Sequence, residues 1–177
     1  MSSYENEVTF CDIIGAIAHS TAPRRIVEIG ILAGHSLEAF TRGCPGAQIQ
    51  AYDIFQEFNG NHADKKHLEN KFIDFANVSI NFGDFYKLHE SFENDSIDIL
   101  HIDIANDGDV YEYAVDKYLR TVRPGGLLIM EGGTVARDLA PWMAKYNKRP
   151  IRDFLGKATG LNFKVWGQFP GITIFKR

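Results

Sequence analysis

Short apolar runs alternate with helically spaced apolar residues along most of this chain. Five apolar runs predict strands, at Arg25–Ile29, Ile49–Asp53, Val78–Phe82, Ile97–Asp103 and Leu127–Glu131. Apolar residues at helical spacing predict helices at Ser36–Thr41, Ala63–Phe75, Phe85–Ser91, Val110–Thr121 and Arg137–Tyr146. Such alternation is typical of a doubly wound α/β fold, with a buried parallel sheet between two layers of helices.

The two ends of the chain depart from this alternation. An opening helix is predicted from about Glu5 to His19, before Pro23 breaks the pattern. Near the other end, Phe163–Phe169 and Ile172–Phe175 read as two strands that are too close for a crossover helix, so they must pair antiparallel. The predicted organisation is one domain over residues 1–177, with an N-terminal helix in 1–22 and a terminal β-hairpin in 162–177.

Composition excludes several classes of protein. A chain of 177 residues can bury roughly 70% of its unfolded surface in one core. Cys11 and Cys44 follow no metal or redox spacing, which favours a reducing cytoplasm. The net charge of −4, with both signs interspersed, argues against nucleic acid as a partner. No apolar run approaches a membrane span of roughly 20 residues, and the first ten residues do not resemble a signal peptide.

The first predicted strand ends in a glycine loop, Glu28-x-Gly30-x-x-x-Gly34, and a helix opens at His35-Ser36. Such a loop brings backbone N–H groups and a helix N-terminus close to a bound anion. Asp53, at the end of the next strand, stands where it could bind a ribose diol. These features predict a nucleoside-containing small ligand.

All five predicted strands end in an acid, or in an acid beside glycine. These strand ends carry Glu28 with Gly30, Asp53, Gly83-Asp84, Asp103 and Glu131-Gly132. One such acid is ordinarily a helix cap or a solvated loop residue. Because ligands of doubly wound sheets bind beyond the carboxyl ends of the strands, five acids at that level indicate a site.

The order and spacing of these motifs resemble class I S-adenosylmethionine (SAM) methyltransferases over about Arg25 to Lys176. The motifs are Glu28-x-Gly30-x-x-x-Gly34-x-Ser36, Asp53, Gly83-Asp84, His101-x-Asp103 and Arg123-Pro124-Gly125-Gly126. The chain is most similar to small-molecule O-methyltransferases whose fourth strand ends in His-Ile-Asp, some of which depend on a divalent metal. The resemblance implies a seven-stranded Rossmann-like sheet, in agreement with the terminal hairpin.

The resemblance also implies how SAM would be bound. Gly30 and Gly34 would let the backbone approach the methionine moiety, Ser36 would meet its carboxylate, and Glu28 would orient the loop or the methionine amino group. Asp53 would accept hydrogen bonds from both ribose hydroxyls. The adenine pocket would consist of Gly83, of Asp84 as acceptor for the amino group, and of Ile54 and Phe85 on the two ring faces.

Asp103 and Glu131 are the predicted catalytic residues, because they lie at the mouth of the site where an acceptor would bind. In metal-dependent relatives, acids at these positions hold Mg²⁺ or a similar cation, and here Asp107 or Asn106 could add an oxygen ligand. The chain departs from that pattern, since Glu131-Gly132 replaces a paired Asp-Asp or Asp-Asn. His101 is interpreted as a hydrogen-bonded core histidine, and Asp109 as the N-cap of the following helix.

The expected function is methyl transfer from SAM to an oxygen of a small polar acceptor, such as a sugar, a phenol or another small metabolite. The short N-terminal segment leaves little material for a lid, so a homodimer is compatible with the sequence. Two alternatives stay open: a non-catalytic module that binds SAM or a nucleoside, and an NAD(P)-dependent short-chain oxidoreductase. For the oxidoreductase alternative, the chain has the matching Tyr113-x-x-x-Lys117 spacing, but it lacks the glycine fingerprint of dinucleotide-binding loops.

Overall fold

A seven-stranded sheet with helices on both faces organises the chain, in a computed structural model that describes residues 8–167 and 170–177. The strands are β1 Arg25–Ile29, β2 Gln48–Asp53, β3 Val78–Phe82, β4 Ile97–Ile102, β5 Val122–Glu131, β6 Asn162–Trp166 and β7 Ile172–Lys176. The helices are α1 Phe10–Thr21, α2 His35–Gly43, α3 Lys65–Lys71, α4 Phe85–Leu88, α5 Gly108–Tyr118, α6 Val135–Asp138, α7 Pro141–Lys145 and α8 Ile151–Leu155.

The strand order is β3-β2-β1-β4-β5-β7-β6, and β1 to β5 run parallel. β7 pairs antiparallel with both β5 and β6. The prediction of a mostly parallel sheet that ends in an antiparallel hairpin is therefore confirmed. The order reverses between β1 and β4, so the carboxyl ends of these two strands mark the place where such sheets bind ligands.

Each face of the sheet has its own apolar core. Residues from α1, α2 and α3 pack on one face, and residues from α4, α5 and α8 pack on the other. The central strands supply both cores because their alternate side chains point to opposite faces: Ile26 lies in the first core and Val27 in the second. Burial on both faces explains why these strands read as nearly continuous apolar runs.

Two predicted helices have different bounds in the structure. The opening helix begins at Phe10, because the Thr9 hydroxyl accepts from the Asp12 N–H and the Asp12 carboxylate accepts from the Thr9 N–H, a capping box. The predicted start at Glu5 lies outside the described residues. The single helix predicted over Arg137–Tyr146 is wrong. This segment forms two short helices, α6 and α7, because Pro141 cannot continue a helix but is well suited to begin one.

Smaller differences concern the ends of elements and one helix that was missed. The helix predicted over Ala63–Phe75 is confined to Lys65–Lys71, capped by Asp64. α8 was not predicted at all. In the terminal hairpin, β6 ends at Trp166, and the predicted end at Phe169 lies outside the described residues. Among the described residues, no helix is long and apolar enough to cross a membrane.

Candidate functional site

A cavity of about 620 Å³ opens at the carboxyl ends of the parallel strands. The predicted site residues on its wall are Gly30, Ser36, Asp53, Ile54, Gly83, Asp84, Phe85, Asp103 and Glu131. Glu28, Gly34 and Asp107 are not part of the wall. The cavity is within the size range of small-molecule sites. It therefore brings most of the predicted cofactor residues and both predicted catalytic acids together in one space.

The glycine loop places backbone directly on the cavity wall. Gly30 has a φ of +91°, and a Cβ there would lie 2.0 Å from the carbonyl oxygen of Asp103. Gly34 caps α2 with a φ of +76°, and a Cβ there would lie 3.0 Å from the side chain of Leu68 in α3 and 2.9 Å from that of Phe72 just after it. Glycine at position 34 is thus required by helix packing. Contact of Gly34 with the methionine moiety stays a prediction.

Beneath the loop, Glu28 joins two side chains that the sequence places far apart. Its Oε1 accepts a hydrogen bond from the Ser36 hydroxyl and lies 3.1 Å from Nδ1 of His101. Glu28 and His101 are buried, and His101 also lines the cavity. Oε2 of Glu28 has no hydrogen-bond partner among the described residues. A buried carboxylate oxygen without a partner is costly, so this atom can take one more donor.

The pKa of His101 is raised above its ordinary value. Burial is the largest single influence and lowers it, but the hydrogen bond and charge of Glu28 outweigh burial, helped by the charges of Asp103 and Glu131. The net shift favours an imidazolium beside Glu28. His101 is therefore a hydrogen-bonded core histidine, as expected, and one whose charge contributes to folding.

Replacement of His101 by glutamine tests this contribution. Because the folded-state pKa lies above the ordinary value of about 6.5, folding stabilises the protonated ring. That stabilisation is complete below about pH 6.5 and is lost as the pH rises through the raised pKa. We expect the melting temperature of the wild type to exceed that of H101Q most at low pH. His67→Gln, on the exposed face of α3, is the control and should show no such trend. A difference in melting temperature between wild type and H101Q that grows with pH would contradict the raised pKa of His101.

Asp53 ties the glycine loop to the turn after β2. Its Oδ2 accepts from the N–H groups of Ile31, at 2.8 Å, and of Leu32, at 3.4 Å. Its Oδ1 accepts from the N–H of Phe55, at 2.9 Å, and from the Asn61 amide, at 2.6 Å. Leu32 and Phe55 both have positive φ, so the carboxylate holds two strained residues in place. Asp53 therefore shapes the wall as well as facing the cavity.

The far end of the cavity is aromatic. Phe85 is buried and stacks on Tyr118, with ring centroids 5.3 Å apart and planes at 13°. Asp84 caps α4 through Oδ1 and forms an ion pair with Lys87 through Oδ2. Ile54 and Gly83 complete this end of the wall. The arrangement has the flat apolar faces and the nearby acceptor that a purine requires.

Asp103 and Glu131 lie at the other end of the cavity and differ in their surroundings. The Asp103 side chain is open to the cavity and has no hydrogen bond or ion pair with another described residue. Burial within the cavity disfavours the charged carboxylate and so raises the pKa of Asp103. The charge of His101 only partly offsets this rise. Burial also raises the pKa of Glu131, and two hydrogen bonds from Arg137 oppose that rise.

Arg137 is a site residue that the sequence analysis missed. Its Nε lies 2.7 Å from Oε1 of Glu131 and its Nη2 lies 2.9 Å from Oε2, a bidentate pair. Nη2 also donates to the carbonyl oxygen of Asn106, and the guanidinium lies 4.5 Å from the Trp142 ring centre. Arg137 is only 4% exposed. No local pattern indicates this pair, because it depends on where α6 docks.

Asp107 has two roles that do not depend on a ligand. Its Oδ1 accepts from the N–H groups of Asp109 and Val110, so Asp107 is the N-cap of α5. The interpretation of Asp109 as the cap is therefore wrong: it lies in the first helical turn, where its N–H is one of the groups to be capped. Oδ2 of Asp107 lies 2.9 Å from Nζ of Lys148, a cavity-lining lysine that was also missed.

These contacts decide whether the predicted acids fit a divalent cation. Both oxygens of Glu131 are bound by Arg137, and both oxygens of Asp107 are bound by backbone or by Lys148. Within the described residues, no three His, Cys, Asp or Glu side chains converge as a possible metal site. The set predicted from the sequence, Asp103, Glu131 and Asp107, does not fit a metal in this geometry.

The oxidoreductase alternative also lacks a matching arrangement. The Tyr113 hydroxyl donates to the carbonyl oxygen of Tyr86 at 2.6 Å, and Lys117 pairs with the neighbouring Asp116. Neither Tyr113 nor Lys117 belongs to the cavity wall. The dyad spacing thus reflects packing and an exposed ion pair.

Comparison with solved structures gives the same architecture. A methyltransferase from Geobacter sulfurreducens matches with a TM-score of 0.66 at 18% identity, covering 97% of this chain and 79% of the other. The O-methyltransferase TomG from Streptomyces achromogenes, solved with SAM, matches with a TM-score of 0.68 at 16% identity, covering 96% of this chain and 81% of the other. An O-methyltransferase from Bacillus cereus, solved with S-adenosylhomocysteine (SAH), matches with a TM-score of 0.68 at 17% identity, covering 99% of this chain and 84% of the other.

Comparison with curated proteins and with family models completes the assignment. No curated protein matches the sequence. A family model described as a methyltransferase domain matches residues 27–131, more than half of the chain, from β1 with its glycine loop to the end of β5. The fold, the cavity at the strand ends and this match agree, and the chain belongs to the class I SAM-dependent methyltransferase family.

Proposed function

We propose that this protein transfers the methyl group of SAM to an oxygen atom of a small polar acceptor. The observation that carries the proposal is the shared cavity, where the glycine loop and Asp53 lie at one part of the wall and Asp103 at another. Solved structures of similar fold, including TomG and the Bacillus cereus enzyme, are O-methyltransferases that bind SAM or SAH.

The residues on the wall fit SAM in their chemistry. Gly30 allows backbone to form the wall where a side chain would collide, and Oε2 of Glu28 is an acceptor without a partner. Asp53 lies on the same wall, and its longest hydrogen bond, from the N–H of Leu32 at 3.4 Å, is the one that a ribose hydroxyl could replace. Phe85 and Ile54 offer apolar faces to adenine, and Asp84 offers it an acceptor.

When bound, SAM supplies a methyl group on a sulfonium, and its transfer to a hydroxyl leaves the sulfide and releases one proton. The protein's tasks are to align the acceptor, exclude water and remove that proton. Asp103 is the proposed base, because its carboxylate is open to the cavity and forms no ion pair with a described residue. Its raised pKa makes it a better base than an ordinary aspartate. Glu131, held by Arg137, forms the wall beside it.

Calorimetric titration with SAH and with NAD tests the cofactor assignment. We expect SAH to bind and NAD not to bind. Asp53→Asn removes the charge that holds the loop and faces the ribose, so SAH affinity should fall by about 10- to 100-fold, equal to about 1.4–2.8 kcal/mol. Asp116→Asn, an exposed acid away from the cavity, is the matched control and should leave affinity unchanged. Binding of NAD without SAH would overturn the proposal.

A methyl-release screen separates an enzyme from a binding module. The wild type is incubated with SAM and with panels of sugars, phenols and small hydroxylated metabolites, and SAH release is measured. Asp103→Asn should lower turnover of any acceptor found by about 100-fold or more while SAH affinity is retained, the range typical of a lost general base. Equal turnover by wild type and D103N would remove Asp103 as the base.

A further inference from the structure

We infer that the acceptor end of this site works without a divalent cation, and that Arg137 and Lys148 supply to Glu131 and Asp107 the positive charge that such a cation would bring. The inference rests on the proposed function, because it concerns the same cavity. It follows from how the three acids predicted to bind metal, Asp103, Glu131 and Asp107, are engaged in the structure.

Glu131 has no free carboxylate edge for a metal. Arg137 binds both of its oxygens in the fork geometry that matches a carboxylate, and the guanidinium is nearly inaccessible to solvent. Trp142 covers the guanidinium, and the Asn106 carbonyl takes a further bond from it. Binding of a cation by Glu131 would therefore leave a buried guanidinium with a lost partner, which is strongly unfavourable.

Both oxygens of Asp107 are also engaged, by backbone N–H groups and by Lys148. Two N–H groups at the start of α5 bind one oxygen, and the Lys148 ammonium binds the other. Lys148 lies on the cavity wall, whereas Asp107 lies behind it and is only 3% exposed. An ammonium has three donors, and Asp107 uses one of them here. Lys148 thus presents fixed positive charge to the acceptor.

Asp103 is the one acid of the three that has no cationic partner among the described residues. A single carboxylate is a poor site for Mg²⁺ or Mn²⁺, which ordinarily take several oxygen ligands. It is better suited to receive a proton from an acceptor. Lys148 then stabilises negative charge on the acceptor oxygen, and Arg137 is a positioning residue that holds Glu131 in the wall.

Titration of the SAH complex with Mn²⁺, followed by electron paramagnetic resonance of the free ion, tests the inference. We expect no saturable binding to the wild type, and no change in SAH affinity between Mg²⁺ and chelator. One Mn²⁺ bound per chain would overturn the inference. Because SAH binding is measured first on the same sample, its absence would count against the proposed function and not against this point.

Charge reversal at Lys148 gives a positive test. Lys148→Glu removes the cation from Asp107 and adds a carboxylate to the cavity wall that Asp103 also lines, so K148E should show saturable Mn²⁺ binding where the wild type shows none. Lys117→Glu makes the same change in net charge at a half-buried lysine away from the cavity that is also paired with an aspartate, and it should gain no Mn²⁺ affinity. Circular dichroism checks that both variants are folded. A folded K148E that binds Mn²⁺ no better than K117E would contradict the role assigned to Lys148.

Discussion

Replacement of Gly30 by alanine is expected to lower the free energy of unfolding by about 2–5 kcal/mol and to abolish measurable SAH binding. The residue has a φ of +91°, which costs an alanine roughly 1–2 kcal/mol. The new Cβ would also lie 2.0 Å from the Asp103 carbonyl oxygen, so β1 and β4 must separate at their carboxyl ends, with an overpacking cost of about 1–3 kcal/mol. Urea denaturation and calorimetry measure the two effects.

Gly60→Ala is the matched control for Gly30→Ala. Gly60 has a similar φ of +96°, but no atom lies within 4 Å of the position of its Cβ. Its substitution therefore reports the conformational cost alone, about 1–2 kcal/mol. If both variants lose the same stability, the close approach of Gly30 to Asp103 does not limit this loop.

Arg137→Met is expected to cost about 3–5 kcal/mol of stability, because it leaves Glu131 and the Asn106 carbonyl without their buried partner. Methionine retains most of the aliphatic volume beside Trp142, so the loss reports charge and hydrogen bonds more than packing. The double variant R137M/E131L removes both charges and should recover much of the loss. Thermal and urea unfolding of the four proteins in this cycle give the coupling free energy.

Arg42→Met is the control for Arg137→Met. Arg42 also pairs with a glutamate, Glu38, but its side chain is 77% exposed. An exposed pair of this kind contributes only about 0.2–1 kcal/mol, so the variant should be nearly as stable as the wild type. A negligible coupling between Arg137 and Glu131, comparable to that of the exposed pair, would show that the pair is not structural.

The pattern of the chain predicts most of the sheet and the cofactor end of the site. β1 and β4 are buried on both faces, so their apolar runs are unmistakable, and the acids at their carboxyl ends fall at one edge because the strands are parallel. Gly30 is predictable for the same local reason, since a strand that must turn sharply into a helix requires positive φ. Such features depend on residues close together in the sequence.

Prediction fails where a side-chain contact depends on how loops and helices dock. The engagement of Glu131 by Arg137 depends on where the short helix α6 docks after β5. The pairing of Asp107 with Lys148 joins the start of α5 to a loop some forty residues later. Asp53, expected to face only a ribose, also binds Asn61 and the N–H of Ile31. In each case the side chain is satisfied by a partner that no spacing rule selects.

The sequence by itself determined the fold class, the terminal hairpin, the glycine loop and the level of the sheet at which the site lies. It did so because hydrophobic periodicity, glycine conformation and strand direction are local properties with few solutions. Only the tertiary structure decided which acids keep free oxygens. Carboxylates of one residue type differ in chemistry according to which cations and N–H groups pack against them, and here that packing leaves Asp103 open while it neutralises Glu131 and Asp107.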